Sequence, residues 1–162
     1  MKRAALKTLY FAYGSNLSAA RLQKRVATAE PAGTARLEGH RLVCDKTGRD
    51  GSAKANLVPG LDEHVWGALY LLEARQLTTL DRFEGGYERL LVSVESHVDG
   101  HANGFREALT YCSSQRTADP VPFDWYRQLI LDGAREHGLP AAWLARLEAL
   151  PCRADPSRAE LR

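Results

Sequence analysis

The spacing of apolar and polar positions changes several times along the chain, and each change marks an element. Residues 8 to 13 form an aromatic, β-prone run. After Gly14-Ser15-Asn16, the apolar residues Leu17, Leu22 and Val26 take helical spacing, with Arg21 and Arg25 beside them and Ser15 or Ser18 placed to cap the helix. Residues 36 to 44 read as a second strand, residues 46 to 54 as a polar glycine-bearing loop, and residues 55 to 58 as a short strand before a Pro59-Gly60 turn. Residues 64 to 72 make the clearest buried strand. Residues 73 to 83 then switch to helical spacing, with Leu77, Leu80 and Phe83 on one face and Gly85-Gly86 as the stop. Leu90, Val92 and Val94 alternate along a strand over 87 to 98, which turns at Asp99-Gly100 and pairs with residues 105 to 112. A helix is predicted from Phe123 to His137, and another, opened by Pro140, through Leu150. The polar segment 151–162 is expected to fray.

The order β-α-β-β-β-α-β-β-α-α lacks the regular alternation of a doubly wound parallel sheet. The expected fold class is α+β, a small mixed β-barrel with flanking helices. One domain over 1–150 and a polar tail over 151–162 are expected. A chain of 162 residues is long enough for a real core. A charged fraction of 26% and a hydrophobic fraction of 44% are ordinary for a soluble globular protein. A net charge of only +2 argues against nucleic acid and membrane as partners, even with Arg21, Lys24 and Arg25 beside an aromatic strand. Lys2, Arg3 and Lys7 read as a solvated leader with no apolar run after it, so neither a secretory leader nor a membrane span is expected. The three widely separated cysteines, Cys44, Cys112 and Cys152, point to a reducing cytoplasm rather than a disulfide framework.

Two places carry candidate chemistry. A strand, tight turn and helix over 10–17 leave backbone N–H groups unpaired and aligned, a natural seat for a small carboxylate. Gly14 allows close approach, and Ser15 and Asn16 add side-chain donors. A plain capped connection explains the same residues. The second place is Glu84, at the end of an amphipathic helix. The helix dipole and the neighbours Phe83 and Tyr87 would raise its pKa toward neutrality, where a glutamate can take and return a proton. An exposed glutamate at a helix end is the plain alternative. Asp81 and Glu88 compete with it, although Glu88 should face away from Tyr87. His97 and His101 are split by the Asp99-Gly100 turn, so no metal site is expected. His40 and His64 are scattered, and His137 suits a helix C-terminus. No nucleophile elbow, phosphate loop or dinucleotide fingerprint is present, and no cofactor is expected.

Tyr10 to Leu17 (YFAYGSNL), Val65-Trp66-Gly67, Leu80 to Gly85 (LDRFEG) and Gly133 to Pro140 (GAREHGLP) follow one another in an order that resembles the γ-glutamylcyclotransferase, or AIG2-like, family. The resemblance covers about Leu9 to Leu150, and its last segment is similar to the animal branch. It implies a compact barrel with flanking helices, a catalytic role for Glu84, and a γ-glutamyl seat formed by Tyr13, Gly14, Ser15, Asn16 and Leu17. It further implies aromatic lining by Tyr87 and Tyr126. The loop between Glu84 and Tyr87 is shorter than in the animal enzymes. The implied reaction converts a γ-glutamyl amide or γ-glutamyl amino acid to 5-oxoproline and a free amine or amino acid, without cofactor or metal. The opening motif differs from that of the glutathione-specific branch. The expected partners are a small γ-glutamyl compound and a second copy of the chain. A non-catalytic module binding a small carboxylate is the alternative.

Overall fold

Five strands, β1 (Lys7–Ala12), β2 (Glu30–Thr47), β3 (Ala53–Glu73), β4 (Glu88–Val98) and β5 (His101–Cys112), close into a barrel in the order β1-β3-β2-β4-β5. The computed structural model describes residues 5–159. All pairings are antiparallel except the seam, where Tyr10 of β1 meets Leu109 of β5 in parallel. The helices are α1 (Ala19–Arg25), α2 (Leu77–Phe83), α3 (Asp124–Glu136), α4 (Ala141–Glu148) and α5 (Pro156–Ala159). The expected mixed barrel with flanking helices is therefore present.

Strand β1 does not alternate. Leu9 through Ala12 are all buried, because both of its faces are covered. Its neighbour β3 carries Gly67 opposite it, and a Cβ added there would lie 2.5 Å from the Phe11 ring and closer still to the Ala12 carbonyl. The glycine of the Val-Trp-Gly segment is thus a packing requirement. Outside the barrel, Ile130, Ala134 and Leu147 join Leu17 and Leu22 in the buried core.

Three boundaries differ from the expectation. Residues 36–44 and 55–58 are parts of one long ladder: β2 and β3 pair from Glu30↔Leu71 to Thr47↔Ala53, and only residues 48–52 form the connecting loop. Lys46, read as the start of the loop, is buried but paired, donating to the Gly85 carbonyl at 2.9 Å, and nearby the buried Asn56 donates to Asp45 and to the Ser113 carbonyl (3.0 Å each). The Pro59-Gly60 turn survives as a bulge inside β3. There residues 60–63 oppose Gly39 alone, and Asp62 takes a positive φ of 58°. The helix expected from Glu73 begins later, because Glu73 still pairs with Lys7 and a 3-10 turn over Ala74–Gln76 intervenes.

Residues 151–159 are docked rather than frayed, and the last three residues of the expected tail lie outside the described residues. Arg153 bridges to Phe123, and the Trp125 indole donates to Asp155 at 2.9 Å. Of the basic leader, Lys2 and Arg3 lie outside the described residues, whereas Lys7 opens β1 and pairs with Glu30 at 3.8 Å. No helix among the described residues is long and apolar enough to cross a membrane.

Gly67→Ala is expected to lower unfolding free energy by about 1–3 kcal/mol, because neither the strand backbone nor the Phe11 ring can yield cheaply. Urea unfolding followed by circular dichroism measures this, and an unchanged midpoint would contradict the packing described.

Candidate active site

The turn after β1 is a short 3-10 helix, Ser15–Leu17, closed by the Leu17 amide donating to the Gly14 carbonyl at 3.0 Å. The turn is held from behind. The Leu17 carbonyl accepts from the Tyr70 hydroxyl and from His137 Nε2, both at 2.7 Å. Gly133 of α3 lies so near that a Cβ there would stand 2.6 Å from the Leu17 Cβ. The segment 133–140 thus braces the turn, with His137, at the C-terminal end of α3 as expected, in contact with the Leu17 carbonyl. Ser18, not Ser15, caps α1 by accepting from the Arg21 amide at 3.2 Å. The amides of Ser15 and Asn16 have no protein acceptor among the described residues.

Glu84 follows the last residue of α2. Its amide donates to the carbonyls of Leu80 and Asp81 at 3.1 Å, and its side chain is only 13% exposed. Its Oε1 accepts from Asn16 Nδ2 at 2.7 Å, which joins the turn to a residue 68 positions away. The same amide nitrogen lies 3.1 Å from the Tyr10 hydroxyl, and Asn16 Oδ1 accepts from Arg25 at 3.3 Å. Arg25 Nη1 stands 3.8 Å from Glu84 Oε1, with its guanidinium 5.1 Å from the centre of the Phe83 ring. Phe83 is therefore half-exposed and lies under a cation, not on the buried face predicted for it.

Burial pushes the Glu84 carboxyl above the usual carboxylate range; Arg25, the Asn16 bond, Lys46 and Arg21 oppose the shift without cancelling it. The helix-end and aromatic neighbours that suggested this direction are present, yet withdrawal from water is the leading cause. The competitors are committed elsewhere. Asp81 accepts two hydrogen bonds from Arg89, at 2.9 and 2.6 Å, and one from Tyr111 at 2.6 Å, and the Arg89 bonds hold its carboxyl low. Glu88 is exposed.

Glu84, Ser15, Tyr87 and Tyr126 line both an inner recess of about 30 Å³ and an outer basin of about 340 Å³. Tyr13, Gly14 and Asn16 reach only the recess, which Tyr10 and Tyr111 complete. Leu17 is fully buried behind the turn and lines neither space. Tyr87 and Tyr126 both bind the backbone of Ala55: the Tyr87 hydroxyl donates to its carbonyl at 2.6 Å, and its amide donates to the Tyr126 hydroxyl at 3.0 Å. A Cβ on Gly14 would stand 3.2 Å from the Ala55 Cβ, so the turn already presses on this wall. Tyr13 donates to the Tyr111 carbonyl at 2.6 Å.

Tyr10, Tyr111, Arg21, Arg25 and Lys46 were not among the expected site residues. The i, i+4 spacing of Arg21 and Arg25, directly after the turn, was the available signal. Nothing local marks Lys46, which is 7% exposed and donates to the Gly85 carbonyl at 2.9 Å. The histidines do not gather: His97 bonds Glu95 at 2.7 Å and meets the Trp66 ring edge-on. Cys44 is buried, and burial and Asp45 push its thiol up to about 12, away from the thiolate.

The fold and site define a small closed barrel whose braced polar turn faces the buried carboxyl of Glu84. Known proteins place the chain in a family. The sequence profile of the AIG2-like family matches residues 64–147. Human gamma-glutamylcyclotransferase is 30% identical over 149 residues, which span 88% of this chain and 78% of the human protein. The bovine gamma-glutamylcyclotransferase gives the same identity and coverage. A solved structure of a gamma-glutamyl cyclotransferase superposes with a TM-score of 0.81 at 24% identity, covering 96% of this chain and 98% of that one, and shares the fold. The chain belongs to the AIG2-like, or γ-glutamylcyclotransferase, family.

Raising the Glu84 pKa above its unfolded value means that the native state binds more protons in the window above the ordinary carboxylate range. Stability therefore falls as pH rises through that window. Glu84→Gln, which stays neutral, is expected to melt higher than the wild type at neutral pH, with the two midpoints converging below the ordinary glutamate range. Calorimetric melting across pH measures this, and a gap that widens on acidification would contradict the environment described.

Proposed function

We propose that the chain is a γ-glutamylcyclotransferase-type enzyme that releases 5-oxoproline from a γ-glutamyl compound, with Glu84 as its general acid and base. The observation that carries this is the buried carboxylate bonded to Asn16 of the turn, in a chain of this family. The nucleophile is the substrate's own α-amine, so the absence of an activated serine or cysteine in the site creates no gap.

The α-amine attacks the γ-carbonyl carbon, forms the new carbon–nitrogen bond of a five-membered lactam, and breaks the bond to the leaving nitrogen. The substrate ammonium sheds two protons, and both end on the leaving amine, so no water is consumed. Glu84 accepts a proton from the ammonium and returns it to the leaving nitrogen. A carboxyl raised above its usual range suits both directions of transfer. Arg21, Arg25 and Lys46 stand near Glu84 and disfavour a further cation, which eases loss of the ammonium proton. The unpaired amides of Ser15 and Asn16 suit the glutamyl carboxylate or a developing oxyanion. Tyr13, Tyr87 and Tyr126 wall the space in which the chain must fold back on itself, and such orientation supplies about 7–11 kcal/mol in well-aligned cases.

Glu84→Gln is expected to lower 5-oxoproline release by about 10²–10⁴-fold, the range typical of general acid–base catalysis, with binding of the γ-glutamyl compound retained. Asn16→Ala removes a bond that favours the charged carboxylate, so the acid limb of kcat/KM moves to higher pH. Chromatographic measurement of 5-oxoproline checks both variants. Near-wild-type turnover by Glu84→Gln would remove Glu84 from the reaction.

A further inference from the structure

The outer basin is cationic beyond what the buried carboxylate requires. Its lining includes six basic side chains, Arg21, Arg25, Lys46, Arg49, Lys54 and Arg82, against two acids, Glu84 and Asp50. Asp50 is already committed: it accepts from Lys54 at 2.9 Å and from the Ser52 hydroxyl at 2.7 Å. Among the described residues, Arg21, Lys46, Arg49 and Arg82 have no carboxylate in ion-pair contact. The buried Nε of Arg21 has no acceptor, and burial lowers both its pKa and that of Lys46.

Three of these charges are held in place by aromatic faces. Arg25 lies over Phe83, Lys46 is 4.9 Å from the centre of the Tyr87 ring, and Lys54 is 4.6 Å from that of Tyr126. Arg49 leans over the peptide that follows Glu84, with its Nη2 3.2 Å from where a Gly85 Cβ would lie. Arg49 and Arg82 are exposed and close the outer rim. The inner recess, by contrast, is lined chiefly by tyrosines and the turn, with Glu84 as its single charged group. A basin with a net excess of cations above a recess that holds a single carboxyl draws in anionic groups.

We propose that the leaving group accepted by this site carries two or more negative charges, as in γ-glutamyl-aspartate or γ-glutamyl-glutamate. The inference rests on the cyclisation reading above and specifies its substrate class. The glutamyl part lies where the two spaces meet, against Ser15, Glu84, Tyr87 and Tyr126, with only its end directed into the recess beside Asn16, and the acidic amine component extends into the basin under Arg49 and Arg82. A neutral or cationic leaving amine leaves these cations unpaired. Like-charge repulsion further disfavours a leaving amine such as lysine.

The test compares three probes: γ-glutamyl-aspartate, γ-glutamyl-alanine and γ-glutamyl-methylamide, scored by 5-oxoproline release. The expected kcat/KM is at least about tenfold higher for the aspartate compound than for the alanine compound, and higher again than for the methylamide. That preference should shrink near 1 M salt, where screening acts over about 3 Å. Arg49→Gln with Arg82→Gln should lower the aspartate-to-alanine ratio at least about threefold, while Arg49→Lys with Arg82→Lys retains it. Calorimetric binding to the Glu84→Gln protein reads the same preference without turnover. Equal use, or equal binding, of the acidic and neutral probes overturns the charge preference while 5-oxoproline release leaves the cyclisation standing. Failure of all three probes to release 5-oxoproline, with the aspartate compound still bound at least about tenfold more tightly, would instead support the charge preference and overturn the cyclisation.

Discussion

A carboxylate withdrawn from water must be satisfied by donors that cannot drift, and the bond from Asn16 to Glu84 meets that demand here. It joins the turn leaving β1 to the end of α2, two elements that belong to different parts of the chain. The rest of the architecture keeps those elements in register. The barrel fixes β1, and Tyr70, His137 and Gly133 hold the turn at Leu17. The backbone of Glu84 is anchored on the final turn of α2. Loosening any of these would leave a desolvated charge without its amide, which explains why so much packing converges on three residues of 3-10 helix.

The electrostatics of the site are a contest whose winner matters. Arg25, Lys46 and Arg21 attract the ionised form of Glu84, and the Asn16 amide bonds to it. Alone they would hold its carboxyl below the usual carboxylate range. Burial opposes and prevails. The cations are held over Phe83, Tyr87 and Tyr126, and such fixed placement would spare the entropy of ordering long side chains for any anion that enters.

Much of the barrel was legible because strand runs such as 64–72 and 87–98 carry strong periodic or continuous apolar patterns. The turn at Gly14 and the carboxylate at 84 were also legible as local features. Their meeting was not, since nothing local ties position 16 to position 84; only the family resemblance joined them. The long β2–β3 ladder was hidden because its polar residues, Asp45, Lys46 and Asn56, are buried through partners distant in sequence. The docking of residues 151–159 is hidden for a similar reason. A polar composition suggested fraying, whereas Asp155 finds the Trp125 indole and Arg153 finds the Gly51 carbonyl and the Phe123 ring. Leu17 adjoins the seat in sequence, but its side chain serves the core, while its amide and carbonyl fix the turn.

Trp125 links that tail to the basin. Its indole lines the cavity, lies 4.9 Å from the Lys54 amine, meets Tyr126 edge-on, and is backed by Arg158 and Asp155. The other two tryptophans, Trp66 and Trp143, lie against His97 and His64 and line a separate cavity. Any group that enters the basin and draws Lys54 off the indole would change the polarity around one fluorophore of three, which makes Trp125 an optical gauge of occupancy.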